Sequence, residues 1–274
     1  MKNFFATFLI VLPIIITAQI NYGSNHGKYL TIRGTKVYYE EYGKGTPLLL
    51  LHGGLGNIAD FKKCIPGLSN KFRVIVPDAP GLGRSEFPDS ALTYQLLAKY
   101  YSILIDQLKL DSLYVLGWSD GGNTGLLLAN YRPDKVKKLI ISGSNYKLSG
   151  MNAEMVEGAK ATIMNPEWVE ANMKDWIENY KRLSPQDDWK RYLEESKKMW
   201  FAEQSFPKSI LEDIVIPVLI VYGDNDLISL EHGIEIKNSI KHSQFCVLPN
   251  TSHEVFNEKP GLINEISISF FKAK

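Results

Sequence analysis

Two hydrophobic periodicities divide the chain. Residues 29–42 (YLTIRGTKVYYEEY) alternate aromatic and β-branched positions with polar ones about Gly34-Thr35, as a hairpin of two half-exposed strands would. Alternation then gives way to short, mostly apolar runs at 47–51 (PLLLL), 72–76 (FRVIV), 113–116 (LYVL), 138–142 (KLIIS), 217–222 (PVLIVY) and 244–248 (QFCVL). Runs of this kind fit strands buried on both faces of a parallel sheet. Between them lie segments of helical spacing, chiefly 92–110, 124–131, 229–240 and 260–272. The alternation of strand and helix predicts an α/β fold, an open sheet covered by helices.

One interval breaks the rhythm. From Ser142 to Pro217 the separation far exceeds what a single crossover needs, and residues 151–206 are rich in Glu, Lys, Met and Trp, with Trp168, Trp176, Trp189 and Trp200 among them. This reads as a helical insertion over about 145–210, either a cap above a site or a peripheral decoration with its own tryptophan core. A chain of 274 residues with 45% apolar content suits one α/β core with an insertion.

The first residues carry a separate signal. Lys2 precedes a largely apolar stretch, 4–16, and then Thr17-Ala18-Gln19. That stretch is shorter than the ~20 residues a bilayer span requires, so 1–18 reads as a secretory signal peptide cleaved after Ala18, with 19–274 as the mature domain and no stable membrane span within it. The expectation is a secreted or periplasmic protein; the alternative is a buried helix or anchor. Net charge of +1 from 31 basic and 30 acidic side chains gives no broad pull on polyanions, so nucleic acid is not an expected partner. Cys64 and Cys246 fall on elements that should not adjoin and read as buried free thiols. His26, His232 and His242 lie in polar surroundings without metal-ligand spacing, and no CxxC pair is present, so no metal site is expected.

Chemistry-bearing residues cluster one step past the apolar runs, where an open α/β sheet gathers its functional groups. After Leu51 come His52-Gly53-Gly54-Leu55-Gly56; after Leu116 comes Gly117-Trp118-Ser119-Asp120-Gly121; after Tyr222 come Gly223-Asp224-Asn225-Asp226; after Leu248 come Asn250-Thr251-Ser252-His253. The GxSxG pentapeptide sits between a strand-like run and a helix-like one, the setting of a nucleophile elbow. A serine hydroxyl needs a base to take its proton and a carboxylate to orient that base, which assigns Ser119, His253 and Asp226, with Asp224 as the alternative acid. The order Ser, Asp, His is that of α/β-hydrolases. Developing negative charge on the acyl oxygen needs N–H donors, each worth on the order of 3 kcal/mol: the amide of Asp120, and that of Gly54 or Leu55. His52 is expected to brace its loop, and Asp78 to belong to a structural turn at Pro80-Gly81. The Asp120 carboxylate has two readings, an anchor for a substrate ammonium or an acid at a helix N-terminus that caps its free amides.

Taken together, His52-Gly53-Gly54, the segment 78–85 (DAPGLGRS), 117–122 (GWSDGG), Gly223 to Asp226 and His253 resemble the motif series of the α/β-hydrolase superfamily, in order, from about Tyr29 to the C-terminus. The resemblance implies a mostly parallel eight-stranded sheet and hydrolysis of a small-molecule ester through an acyl-enzyme, without a cofactor. The GWSDGG segment is similar to the biphenyl-hydrolase-like branch, whose members cleave amino-acid esters, so an amino-acid ester or amide hydrolase is the first alternative. A ligand-binding protein on the same fold, with a vestigial triad, is the second.

Overall fold

The computed structural model describes residues 20–24 and 26–273; the expected signal peptide lies outside the described residues. Among the described residues the strands β1 (Lys28–Ile32), β2 (Thr35–Tyr42), β3 (Pro47–Leu51), β4 (Arg73–Pro77), β5 (Leu113–Trp118), β6 (Val136–Ser142), β7 (Val218–Gly223) and β8 (Ser243–Leu248) form one eight-stranded sheet. Its order is β1-β2-β4-β3-β5-β6-β7-β8, with β2 antiparallel to both neighbours and every pairing from β4 to β8 parallel.

The apolar runs of the inner strands are covered on both faces, whereas the 244–248 run, expected to be covered likewise, forms the edge strand β8 and leaves Gln244 and Val247 exposed, because no strand pairs on its outer side. Leu49, Leu51, Ile75, Val115, Leu139 and Ile141 point into one core, with the helices Tyr94–Gln107 and Asp120–Tyr131; Leu48, Leu50, Val74, Val76, Leu116 and Ile140 point into the other, with the helices Ile65–Ser69 and Pro260–Lys272. The period of two thus separates two cores rather than core from solvent.

The amino-terminal hairpin differs from the half-exposed pair its alternation predicts. In β2 only Lys36 is exposed, because this strand lies inside the sheet between β1 and β4. Glu40 tolerates burial there by accepting hydrogen bonds from the hydroxyls of Tyr38, at 2.7 Å, and Tyr42. Cys64 and Cys246 are free and on separate elements; Cys64 is buried and Cys246 half-buried. His232 is more enclosed than its sequence context suggests: the ring is buried and stacked on Tyr146 at 5.0 Å, with Nδ1 3.2 Å from Glu235 Oε2, because the helix Leu230–Ser239 turns that face toward the core. No helix of the described residues is long and apolar enough to cross a membrane.

The segment between β6 and β7 is helical: Ala153–Ala161, Pro166–Asn172, Lys174–Leu183, Trp189–Trp200 and Ser209–Glu212. It is fastened to the core well away from its ends. Tyr180 donates its hydroxyl to Gly81 O at 3.0 Å, Phe87 N donates to Gln186 Oε1 at 2.6 Å, and Leu92 N donates to Glu195 Oε2 at 3.1 Å.

At the strand-to-helix junction the backbone leaves no room for side chains. A Cβ on Gly117 would lie 2.3 Å from Gly121 O, and one on Gly121 would lie 2.0 Å from Leu51 O. Gly121→Ala is therefore expected to destabilise the protein by about 3 kcal/mol. Gly158, in the helix Ala153–Ala161 with open space about it, should behave oppositely, and Gly158→Ala should stabilise by about 0.5–1 kcal/mol. Thermal unfolding followed by circular dichroism checks both signs, and equal Tm values for the two variants would refute the close-approach argument.

Candidate active site

Ser119 sits where β5 stops and the helix Asp120–Tyr131 starts, with φ +53° and ψ −117°. A left-handed backbone at a residue bearing a Cβ costs on the order of 1–3 kcal/mol and persists only where its surroundings enforce it. Here Ser119 N donates to Ser142 O at 2.7 Å, and the helix enters through Gly121 and Gly122 at van der Waals limits.

The other two expected residues meet each other. His253 Nδ1 donates to Asp226 Oδ1 at 2.7 Å, which leaves Nε2 as the acceptor nitrogen of the ring. The Asp226 side chain is wholly buried, and its Oδ1 also accepts from Ile228 N at 3.0 Å. Asp224, the alternative acid, is occupied elsewhere. Its carboxylate accepts from Asn250 N and Thr251 N, both at 2.9 Å, and so caps the loop that delivers His253. Ser119 and His253 line one cavity of about 610 Å³ with Gly54, Leu55 and Asp120.

Two contacts on His253 have no counterpart in the sequence reading. Trp118 donates its indole Nε1–H to the His253 carbonyl at 2.9 Å, with the rings 5.9 Å apart. Gly143, at φ +58°, passes so close that a Cβ there would lie 2.5 Å from His253 Cε1. The available signals were an indole beside the serine and a glycine ending the 138–142 run, but neither names its partner.

The two candidate amides of the glycine-rich loop have different surroundings. Leu55, at φ +60°, donates its N–H to the Tyr192 hydroxyl at 3.1 Å and accepts at its carbonyl from Trp176 Nε1 at 2.7 Å. Its amide is thus engaged by the insertion, whereas among the described residues no such bond is found on the Gly54 amide. Gly54 needs to be glycine, since a Cβ would lie 2.2 Å from the Trp200 ring. His52 braces the loop as expected. Its Nε2 accepts from Ala79 N at 2.9 Å, so Nδ1 carries the proton and donates to Gly53 O at 2.8 Å. Asp78 is structural, accepting from Ile58 N at 2.9 Å and Arg84 N at 2.8 Å.

Asp120 matches neither of its readings in full. It opens the helix, but its oxygens do not cap helix amides: Oδ1 accepts from the Tyr94 hydroxyl and Oδ2 from Trp200 Nε1, both at 2.7 Å. Burial raises its carboxyl above the ordinary range, and these two donors oppose that shift. The tryptophans of the insertion do not form a core of their own; Trp176 and Trp200 reach down to the loop and the elbow.

Comparison with known proteins agrees with this architecture. A model of the alpha/beta hydrolase fold matches residues 46–184, and the chain belongs to that family. It is 27% identical to the "Uncharacterized hydrolase YugF" of Bacillus subtilis, over 88% of this chain and 96% of that protein. It is 26% identical to "Serine hydrolase BPHL" of Homo sapiens, over 89% and 85%. The enol-lactonase of Burkholderia xenovorans LB400 superposes with a TM-score of 0.72 at 20% identity, covering 90% of this chain and all of that one.

The His52 tautomer has a consequence for pH. Burial holds its imidazole below the ordinary value, so the unfolded chain takes up the proton first as pH falls. The stability that His52 contributes is complete above about pH 6.5, and is lost as pH drops from there through the lowered folded value. His52→Gln should flatten the decline of Tm on acidification across that window; an unchanged slope would rule out His52 as its source.

Proposed function

We propose that this protein is a serine hydrolase that cleaves carboxylic esters of small molecules through an acyl-enzyme. The observation that carries the reading is the 2.7 Å bond from His253 Nδ1 to the buried Asp226, with His253 lining the same cavity as the strained Ser119. In this reading Ser119 Oγ attacks the acyl carbon while His253 Nε2 takes its proton. The oxyanion is met by the amides of Gly54 and Asp120. Collapse of the tetrahedral species expels the alcohol, which takes the proton from His253, and water repeats the sequence to release the acid.

The cavity walls narrow the substrate. Met151, Met155, Ile163, Phe201 and Leu227 make them largely apolar, and the acidic side chains among the described residues lining the space are Asp120, Glu154 and Glu254. Such walls favour neutral acyl groups over anionic ones. A second reading, hydrolysis of α-amino esters, is favoured by the same acidic lining. Asp120→Asn would lower kcat/KM for α-amino esters more than for neutral ones in that case, and equally for both otherwise. The signal-like stretch 1–18 supports action outside the cytoplasm.

Burst release of p-nitrophenol from a short-chain ester by the wild-type chain, abolished in Ser119→Ala, tests the main reading. Asp226→Asn should lower kcat on the order of 10⁴-fold, as loss of the tautomer-fixing acid does elsewhere. A burst that survives Ser119→Ala would overturn the assignment. Trp118→Phe removes one hydrogen bond from His253, worth about 1 kcal/mol. It should lower kcat about fivefold while leaving KM in place, and a change confined to KM would deny Trp118 that role.

A further inference from the structure

The bonds that hold the glycine-rich loop come from three directions, and two of them originate in the insertion. The Gly53–Gly54 peptide is planar and trans, so its C=O and N–H point opposite ways. His52 Nδ1–H grips the Gly53 oxygen at 2.8 Å, and in doing so turns the Gly54 N–H of the same peptide to the other side. The next peptide is held at its N–H: Leu55 N donates to the hydroxyl of Tyr192, on the helix Trp189–Trp200. The one after is held at its C=O, where Leu55 O accepts from Trp176 on the helix Lys174–Leu183.

Leu55 adopts φ +60°, which a branched side chain disfavours. Without bonds on both of its flanks the loop would relax to a commoner backbone and carry Gly54 with it. The second donor is tied to the same roof. Asp120 is clamped through its carboxylate by Trp200, 2.7 Å away, and the Trp200 ring also packs on the bare Cα of Gly54.

Resting on the hydrolase reading above, we propose that the insertion is a working part of the oxyanion hole, with Tyr192 and Trp176 as positioning residues that set the Gly54 amide and Trp200 as the one that steadies Asp120. The insertion would then do more than enclose substrate. Its effect falls on the transition state, where charge on the acyl oxygen appears, and leaves ground-state binding nearly untouched.

Tyr192→Phe removes one hydroxyl and keeps the ring, which is 2% exposed and packed beside Tyr180. With p-nitrophenyl acetate it should lower kcat about tenfold at constant KM, short of the ~10²–10³ that deleting a donor costs. Affinity for a trifluoromethyl ketone, which forms an anionic tetrahedral adduct, should fall by the same factor. Trp176→Phe should act alike, and the double variant should lose less than the product of the two because both hold one stretch of backbone. Tyr180→Phe is the control: it removes another bond between insertion and core, to Gly81, away from the loop, and should leave kcat unchanged. An equal loss in Tyr180→Phe, or an unaltered kcat in Tyr192→Phe, would overturn the proposal. Amide hydrogen exchange separates this failure from that of the hydrolase reading. A wild-type chain with no turnover would refute the reading, whereas an unchanged exchange rate at the Leu55 amide in Tyr192→Phe would refute the coupling itself.

Discussion

The structure depends on one close approach of backbone to backbone. Gly121, in the first turn of the helix Asp120–Tyr131, lies against the carbonyls of Leu51 and His52 at the end of β3, while Gly117 lies under Gly121 O. No side chain intervenes, so the helix start, the serine and the loop after β3 are fixed as one block. The left-handed Ser119 follows from that geometry, since the chain must reverse within one residue to enter the helix. Everything else at the site is arranged around this block: the loop after β8 brings the imidazole, the loop after β7 the acid, and the insertion the roof.

Charge is managed by giving each buried group a dedicated partner. Two aspartates separated by a single residue have different tasks: Asp226 accepts from the histidine, whereas Asp224 accepts from the amides of the loop that carries it. Asp78 gathers Ile58, Arg84 and its own turn. His52 is neutral because each ring nitrogen has one backbone partner of the complementary kind. These are local solutions, and together they let the carboxyl ends of the strands hold many polar groups beside two apolar cores.

Much of this was legible in the chain because it is written in local pattern. The run 47–51 is β3 to the residue, and 260–272 is the last helix, since a strand covered on both faces has no polar position to blur its edges. The helix after Ser119 starts at Asp120 rather than 124, because its first turn is built from glycines whose low helix propensity hides it. β2 read as half-exposed since alternation carries no information about what covers the polar face; Glu40 is covered by hydroxyls from its own strand. Of the site, the serine, acid and histidine sit at strand ends and could be found by reading past each run. Tyr192 and Trp176 could not, because they come from amphipathic helices whose seating on the core no period encodes.

Gly143 carries a consequence for how such proteins diverge. The chain leaves β6 for the insertion through this residue, directly beneath the imidazole, in a conformation and a space that admit no side chain. Variation in the roof therefore has a fixed point of departure: new helices can be grafted downstream, but the doorway itself must stay bare for the ring above it to keep its tilt. A transplanted lid that began one residue earlier would shift the His253 ring before it ever touched a substrate.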